Sequence, residues 1–204
     1  MISRAAGLVA ILAAGVAAVW YFMTQNATPA DAQPSGLPTD PAGRRARARA
    51  AIVGTNTAPI PWDWLYFQAQ LETGDFHSPT YYGSNSLFNR HVGHGKGDWT
   101  GRVYMAGIEY ASDADALAVD PTNALEHIRI YDSPEQSVRD IVKLYHDPLY
   151  AAALAAAQGG DRTAWYEAIT RGDGIRGFVG DPNAKKAANY IAGLNATAAR
   201  GVVA

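Results

Sequence analysis

At 204 residues, with 48% hydrophobic and 18% charged side chains, the chain has room for one globular domain and a modest appendage, and it is too apolar to be a disordered segment. Its formal net charge of −2 supplies none of the basic excess that a nucleic-acid partner calls for. It contains no cysteine, which excludes disulfides, thiolate metal sites and a cysteine nucleophile.

An apolar run fills residues 5–23, between Arg4 and the polar Thr24-Gln25-Asn26. Coiled as a helix it reaches roughly 30 Å, the thickness of a bilayer's hydrocarbon core. Trp20 and Tyr21 stand near its end, where amphipathic rings favour the interface. A cleaved signal peptide is the rival account, with Ala30-Asp31-Ala32 resembling a cleavage site. The run is longer than the roughly 7–15 residues of a signal-peptide core, which favours a transmembrane anchor over residues 1–26 with the rest of the chain on the outer side of the membrane. Ala6, Ala10, Ala14 and Ala18 form a small-residue ridge through which anchors could associate into an oligomer, although chance explains it in a span so rich in alanine.

Residues 27–40, rich in Pro and Ala, read as a linker. Asp40-Pro41 is an N-cap followed by a first-turn proline and opens a helix that stops near Gly54. This helix carries Arg44, Arg45, Arg47 and Arg49, suited either to lipid phosphate or anionic wall polymer, or to a solvated face. Residues 62–73 predict a second helix, stopped by Gly74 and followed by a Gly-rich irregular stretch through Gly101. Residues 102–110 and 125–131 have strand character and are joined by a polar Asp/Ala loop.

Ser133-Pro134-Glu135-Gln136 combines an N-cap, a first-turn proline and a capping-box glutamine; Val138, Ile141, Val142 and Tyr145 then recur at helical spacing. Asp147-Pro148, Asp161 and Asp181-Pro182 each start a further helix. The order of elements predicts an α+β domain of two lobes, mostly helical with a small β-hairpin lobe and a cleft between them.

Gln68-Ala69-Gln70-Leu71-Glu72-Thr73-Gly74, with Ser78 and then Asn85-Ser86-Leu87-Phe88, resembles the signature of the glucosaminidase family of peptidoglycan hydrolases. Further echoes follow in the family's order: Ile108-Glu109-Tyr110, Ile128-Arg129-Ile130-Tyr131-Asp132-Ser133, and Gly177-Phe178-Val179-Gly180-Asp181-Pro182-Asn183. The resemblance covers residues 60–195 and implies a lysozyme-like fold over 41–204, activity on the β-1,4 bonds of peptidoglycan glycan strands, and no cofactor. The chain departs from the pattern at Asn89, where the family has Gly, and at Phe178 and Ala184, where it has Tyr. Tyr81, Tyr82 and Tyr104 are candidates to supply the missing hydroxyl.

Glycosidic cleavage needs a carboxylic acid that is still protonated near neutral pH. Glu72 follows Trp64, Leu65, Phe67 and Leu71 on an apolar helix, so desolvation favours its protonated form, and it is the expected general acid. Glu109 is the expected second carboxylate, with Asp75, Asp98, Asp113, Asp120 and Glu126 as alternatives, and the substrate's own N-acetyl group could assist in its place. The implied substrate-binding residues are Ser78, Asn85, Phe88, Tyr104 and Phe178. His91-Val92-Gly93-His94 lacks a carboxylate at a metal-ligand spacing, so no metal is expected.

The resulting expectation is a peptidoglycan hydrolase that opens the wall locally, in a bacterial envelope or as a phage protein, anchored in a cytoplasmic or viral membrane. A muramidase or lytic transglycosylase, and a non-catalytic wall-binding protein, are the alternatives.

Overall fold

The computed structural model describes residues 37–93, 97–123, 126–172 and 184–202. Eight α-helices among them surround one small sheet, an α+β arrangement. The expectation of a membrane-spanning helix is corrected: among the described residues no helix is long and apolar enough to cross a membrane. The apolar run 5–23 and the linker up to residue 36 lie outside the described residues.

Helix α1 (Pro41–Val53) begins as its sequence dictates, with Asp40 accepting a hydrogen bond from the Gly43 amide at 2.7 Å. Its arginines do not form one solvated face, although Arg49 is exposed. Arg44 is buried, donates to the Phe76 carbonyl at 3.1 Å and lies over the Tyr82 ring. Arg45 pairs with Asp75, Arg47 with Glu135, and Arg49 lies over Trp62. The cluster therefore ties α1 to the body of the protein.

Helix α2 (Trp62–Glu72) buries Trp64 through Gln70 without interruption, which makes it the central helix of the body. It ends in three successive left-handed residues, Gly74, Asp75 and Phe76. Only Gly adopts that conformation freely; Phe76 tolerates it because its ring is fully buried against Tyr66 and Tyr81. The reversal leads into α3 (Pro79–Ser84), a helix within the stretch expected to be irregular, capped by Ser78 through the Thr80 amide.

The sheet has the order β2-β1-β3, with all pairs antiparallel. What reads in sequence as one strand over 102–110 is a hairpin, β1 (Val103–Met105) and β2 (Ile108–Tyr110), turning at the left-handed Ala106 and Gly107. The expected loop after it contains helix α4 (Asp113–Val119), capped by Ser112. Strand β3 (Ile128–Arg129) pairs with β1 on one side. On its other side it meets segment 89–92: the Arg129 amide donates to the Arg90 carbonyl at 2.9 Å, the Val92 amide to the His127 carbonyl at 3.0 Å, and His91 faces Ile128.

Strand side chains alternate, so this register sorts the sheet into two faces. Val92, Val103, Met105 and Tyr110 share the face covered by Ala116 of α4, a small hydrophobic cluster separate from the main core. Glu109, Tyr104, Ile128 and His91 are cross-strand neighbours on the other face. Helix α3 sits on that second face so closely that a Cβ on Gly83 would lie 2.0 Å from the Tyr104 ring.

Helix α5 (Pro134–Tyr145) is capped by Ser133 as its sequence predicts. A 3-10 turn (Pro148–Tyr150), α6 (Ala151–Gln158), α7 (Arg162–Arg171) and α8 (Ala184–Arg200) complete the helical body. An ionic joint fixes the sheet to α5. Fully buried Arg129 donates to Asp140 at 3.0 and 3.2 Å, and the same carboxylate accepts from the Tyr131 hydroxyl at 2.7 Å and the Asp98 amide at 2.8 Å.

Candidate active site

Glu72 is the last residue of α2, at the point where the chain reverses. Two groups from distant parts of the sequence hold it. The Tyr190 hydroxyl, from α8, donates to Glu72 Oε1 at 2.5 Å, and Asn89 Nδ2 donates to the Glu72 carbonyl at 2.6 Å. Behind them Gln68, one turn earlier on α2, is hydrogen-bonded to the Tyr145 hydroxyl at 2.7 Å and donates to Tyr190 at 3.3 Å. A row of polar side chains, Tyr145–Gln68–Tyr190–Glu72, therefore runs from the core, where the first two are fully buried, to the half-buried Tyr190 and Glu72.

Desolvation pushes the Glu72 carboxyl up from 4.5 to about 7; the hydrogen bonds from Tyr190 and Asn89 oppose the rise, and the charge of Glu126 adds to it. Burial, reinforced by the charge of Glu72, holds the Tyr190 phenol well above its ordinary range, so it remains a donor. The arrangement can keep a proton on Glu72 near neutral pH and fix the carboxyl's orientation, the two requirements of a general acid.

Asn89 has φ 44°, in the left-handed region. Asn is among the non-glycine side chains that best tolerate that conformation, and from it the side chain reaches the Glu72 carbonyl. The hydroxyl bonded to the Glu72 carboxyl comes from Tyr190, not from Tyr81, Tyr82 or Tyr104. Tyr81 is fully buried, Tyr82 donates to the Phe76 carbonyl at 3.2 Å, and Tyr104 packs against Gly83. Nothing in the local sequence marks Tyr190, since its role comes from the packing of α8 on α2.

The remaining expected site residues are dispersed. Glu109 shares the second sheet face but sits on the edge strand, exposed and paired with Arg102. At about 4.8 Å per strand, it stands roughly 14 Å across the sheet from the segment that carries Asn89. Ser78 is the N-cap of α3, Asn85 is buried and donates to the Tyr131 carbonyl at 2.9 Å, and Phe88 is fully buried in the main core. Asn85 and Phe88 present no surface to a substrate, whereas Ser78 is partly exposed. Tyr104 is 7% exposed, and Phe178 lies outside the described residues.

Of the alternative acids, Asp75 is held by Arg45 and Gln70, and Asp98 by Arg139 and Gln136. Asp113 and Asp120 flank buried His127 at 3.2 and 3.6 Å. Among the described residues no group of three or more His, Asp or Glu side chains is arranged to hold a metal ion, and His94 lies outside them. Comparisons with models of known protein families, with curated proteins and with solved structures give no match.

Proposed function

We propose that this protein is a glycosidase that cleaves the β-1,4 bonds of peptidoglycan glycan strands, of the glucosaminidase type, with Glu72 as general acid. One observation carries the reading: Glu72, within the Glu-Thr-Gly motif, has a carboxyl raised to about 7 and oriented by Tyr190. Protonated Glu72 gives its proton to the bridging oxygen as the glycosidic bond breaks, and positive charge develops on the sugar ring. Between turnovers the carboxyl recovers its proton from solvent. The row from Tyr145 through Gln68 to Tyr190 keeps it in one rotamer. Such orientation matters because a misplacement of about 1 Å can cost about a hundredfold in rate.

Mass spectrometry of purified peptidoglycan after digestion tests the reading. Fragments ending in reducing N-acetylglucosamine are the expected result. Reducing or anhydro N-acetylmuramic acid ends would transfer Glu72 to muramidase or lytic transglycosylase chemistry, and the absence of any product would sink the enzymatic reading.

A further inference from the structure

We propose that Gln68 is a positioning residue of this site: its amide orders the Tyr190 hydroxyl so that the proton of the acid is carried on Glu72 Oε2. The inference rests on the reading of Glu72 as general acid and names the oxygen that delivers the proton.

Gln68 and Glu72 stand one turn apart on the same side of α2. Gln68 is fully buried, and two tyrosines from distant helices provide its partners. With the Tyr145 hydroxyl of α5 the amide exchanges hydrogen bonds. Nε2 donates to the hydroxyl oxygen at 2.7 Å, and the hydroxyl donates to Oε1 at 2.9 Å. That exchange engages the amide's acceptor and one of its two N–H groups. The second N–H donates to the Tyr190 oxygen at 3.3 Å.

A phenol has a single proton. With its oxygen accepting from Gln68, Tyr190 gives that proton to Glu72 Oε1 at 2.5 Å. A protonated carboxyl carries one hydrogen, and Oε1 already meets the hydrogen of Tyr190. The acid's own hydrogen is therefore on Oε2. The reverse order would need Tyr190 to accept from the carboxyl and to donate to Gln68 Oε1. The amide would have to turn over, breaking both bonds with Tyr145 at once. Tyr145 is itself fixed, fully buried with its ring centroid 5.2 Å from that of Tyr150 and 5.6 Å from that of Trp165. Burial holds the Tyr145 and Tyr190 phenols well above their ordinary range, so both keep their protons while Glu72 titrates.

In the step so ordered, the Oε2–H bond breaks and its proton goes to the bridging oxygen, which keeps the electron pair of the broken C1–O bond. The pair from the O–H bond stays on Glu72 as a carboxylate. The bond from Tyr190 to Oε1 strengthens as that charge forms. Gln68 thus acts on the acid through Tyr190.

The test compares Gln68→Met, Tyr145→Phe, Tyr190→Phe and the double variant Gln68→Met/Tyr190→Phe in the full chain. Two readouts are taken: ¹³C titration of the Glu72 carboxyl, and the pH–kcat profile on purified peptidoglycan. The charge of Glu126, which also raises Glu72, is the same in every variant. Gln68→Met removes the amide and keeps the side chain's length. Tyr190 is then free to accept from protonated Glu72, which favours the protonated form. Glu72 is expected to titrate at higher pH, and kcat at the optimum to fall about tenfold with KM little changed. Tyr145→Phe frees the amide to turn over and is expected to move both readouts the same way. In the Tyr190→Phe background, Gln68→Met is expected to leave the titration where Tyr190→Phe puts it, because the hydroxyl that transmits its effect is gone. A side chain that merely packs would leave the titration alone in either background.

A Glu72 titration unchanged by Gln68→Met overturns the proposal, and so does a shift that persists undiminished in the Tyr190→Phe background. Should Gln68→Met not fold, Tyr145→Phe with and without Tyr190→Phe makes the same comparison. If wild type yields no cleavage products, or Glu72→Gln stays active, the glycosidase reading fails, and the ¹³C titrations still decide whether Gln68 orders Tyr190.

Discussion

Tyr190 and Glu72, 118 residues apart in sequence, meet in a hydrogen bond of 2.5 Å at the end of the central helix. The contact joins the last described helix to the end of α2, so the surroundings of Glu72 are complete only when α8 docks on α2.

Tyr190→Phe removes a donor that holds the Glu72 carboxyl down, so the carboxyl's pKa rises further. The alkaline limb of the pH–kcat profile is expected to move to higher pH, while kcat at the optimum falls about tenfold for want of orientation. A limb that moves to lower pH would contradict this account.

Glu72→Gln is expected to abolish cleavage and to stabilise the fold at alkaline pH. A carboxyl raised to about 7 in the folded state, against 4.5 ordinarily, binds its proton more tightly when folded. Wild-type stability is therefore full below pH 4.5 and declines as pH rises through about 7, by up to roughly 3 kcal/mol. The glutamine variant lacks that decline. Urea unfolding of both proteins at pH 5 and pH 8 measures it, and equal slopes with pH would refute it.

Asp140→Ala leaves Arg129 buried without its anion and is expected to cost about 3–5 kcal/mol. Gly97→Ala strikes the same joint from outside, since its Cβ would lie 2.0 Å from Arg129 Nη1 and 2.1 Å from Asp140 Oδ1. Chemical denaturation should show both variants destabilised; a neutral Gly97→Ala would mean that the joint gives way easily.

Glu135 is held down to about 2, chiefly by its hydrogen bonds from Arg47. Its contribution is present above pH 4.5 and is lost as pH falls through about 2. Both side chains are about one-third exposed, so solvent screening limits the pair to about 1 kcal/mol. Glu135→Gln should be less stable than wild type at pH 7 and equal to it below pH 2, as read by thermal melts across that range.

Local chemistry made the helix starts legible. Asp40, Ser133, Asp147 and Asp161 each accept from an amide two or three residues on, as the capping rules require. Helix α4 escaped because its seven residues bury only Ala116, too little for a periodic pattern to register. The hairpin was merged into one strand because Ala106 gives no sign of a left-handed turn; Gly107 alone carried the signal. Glu72 was legible from its motif and its apolar helix. Tyr190 was not, because its place beside Glu72 depends on which elements pack together.

The ion pair of Arg129 with Asp140 also divides the sheet by how tightly its parts are held. Arg129 grips the carbonyls of His91 and Val92 as well as Asp140, so the strand edge nearest Glu72 is tied to α5 through a solvent-excluded charge. Strand β2, at the opposite edge, is hydrogen-bonded to β1 and packs beside α4, with Ile108 and Glu109 exposed. Amide hydrogen exchange should accordingly be slow at Arg129 and Val92 and fast at Ile108 and Tyr110. The edge that carries Asn89 is then a fixed wall beside Glu72, and the outer strand carrying Glu109 is the part of the sheet free to yield.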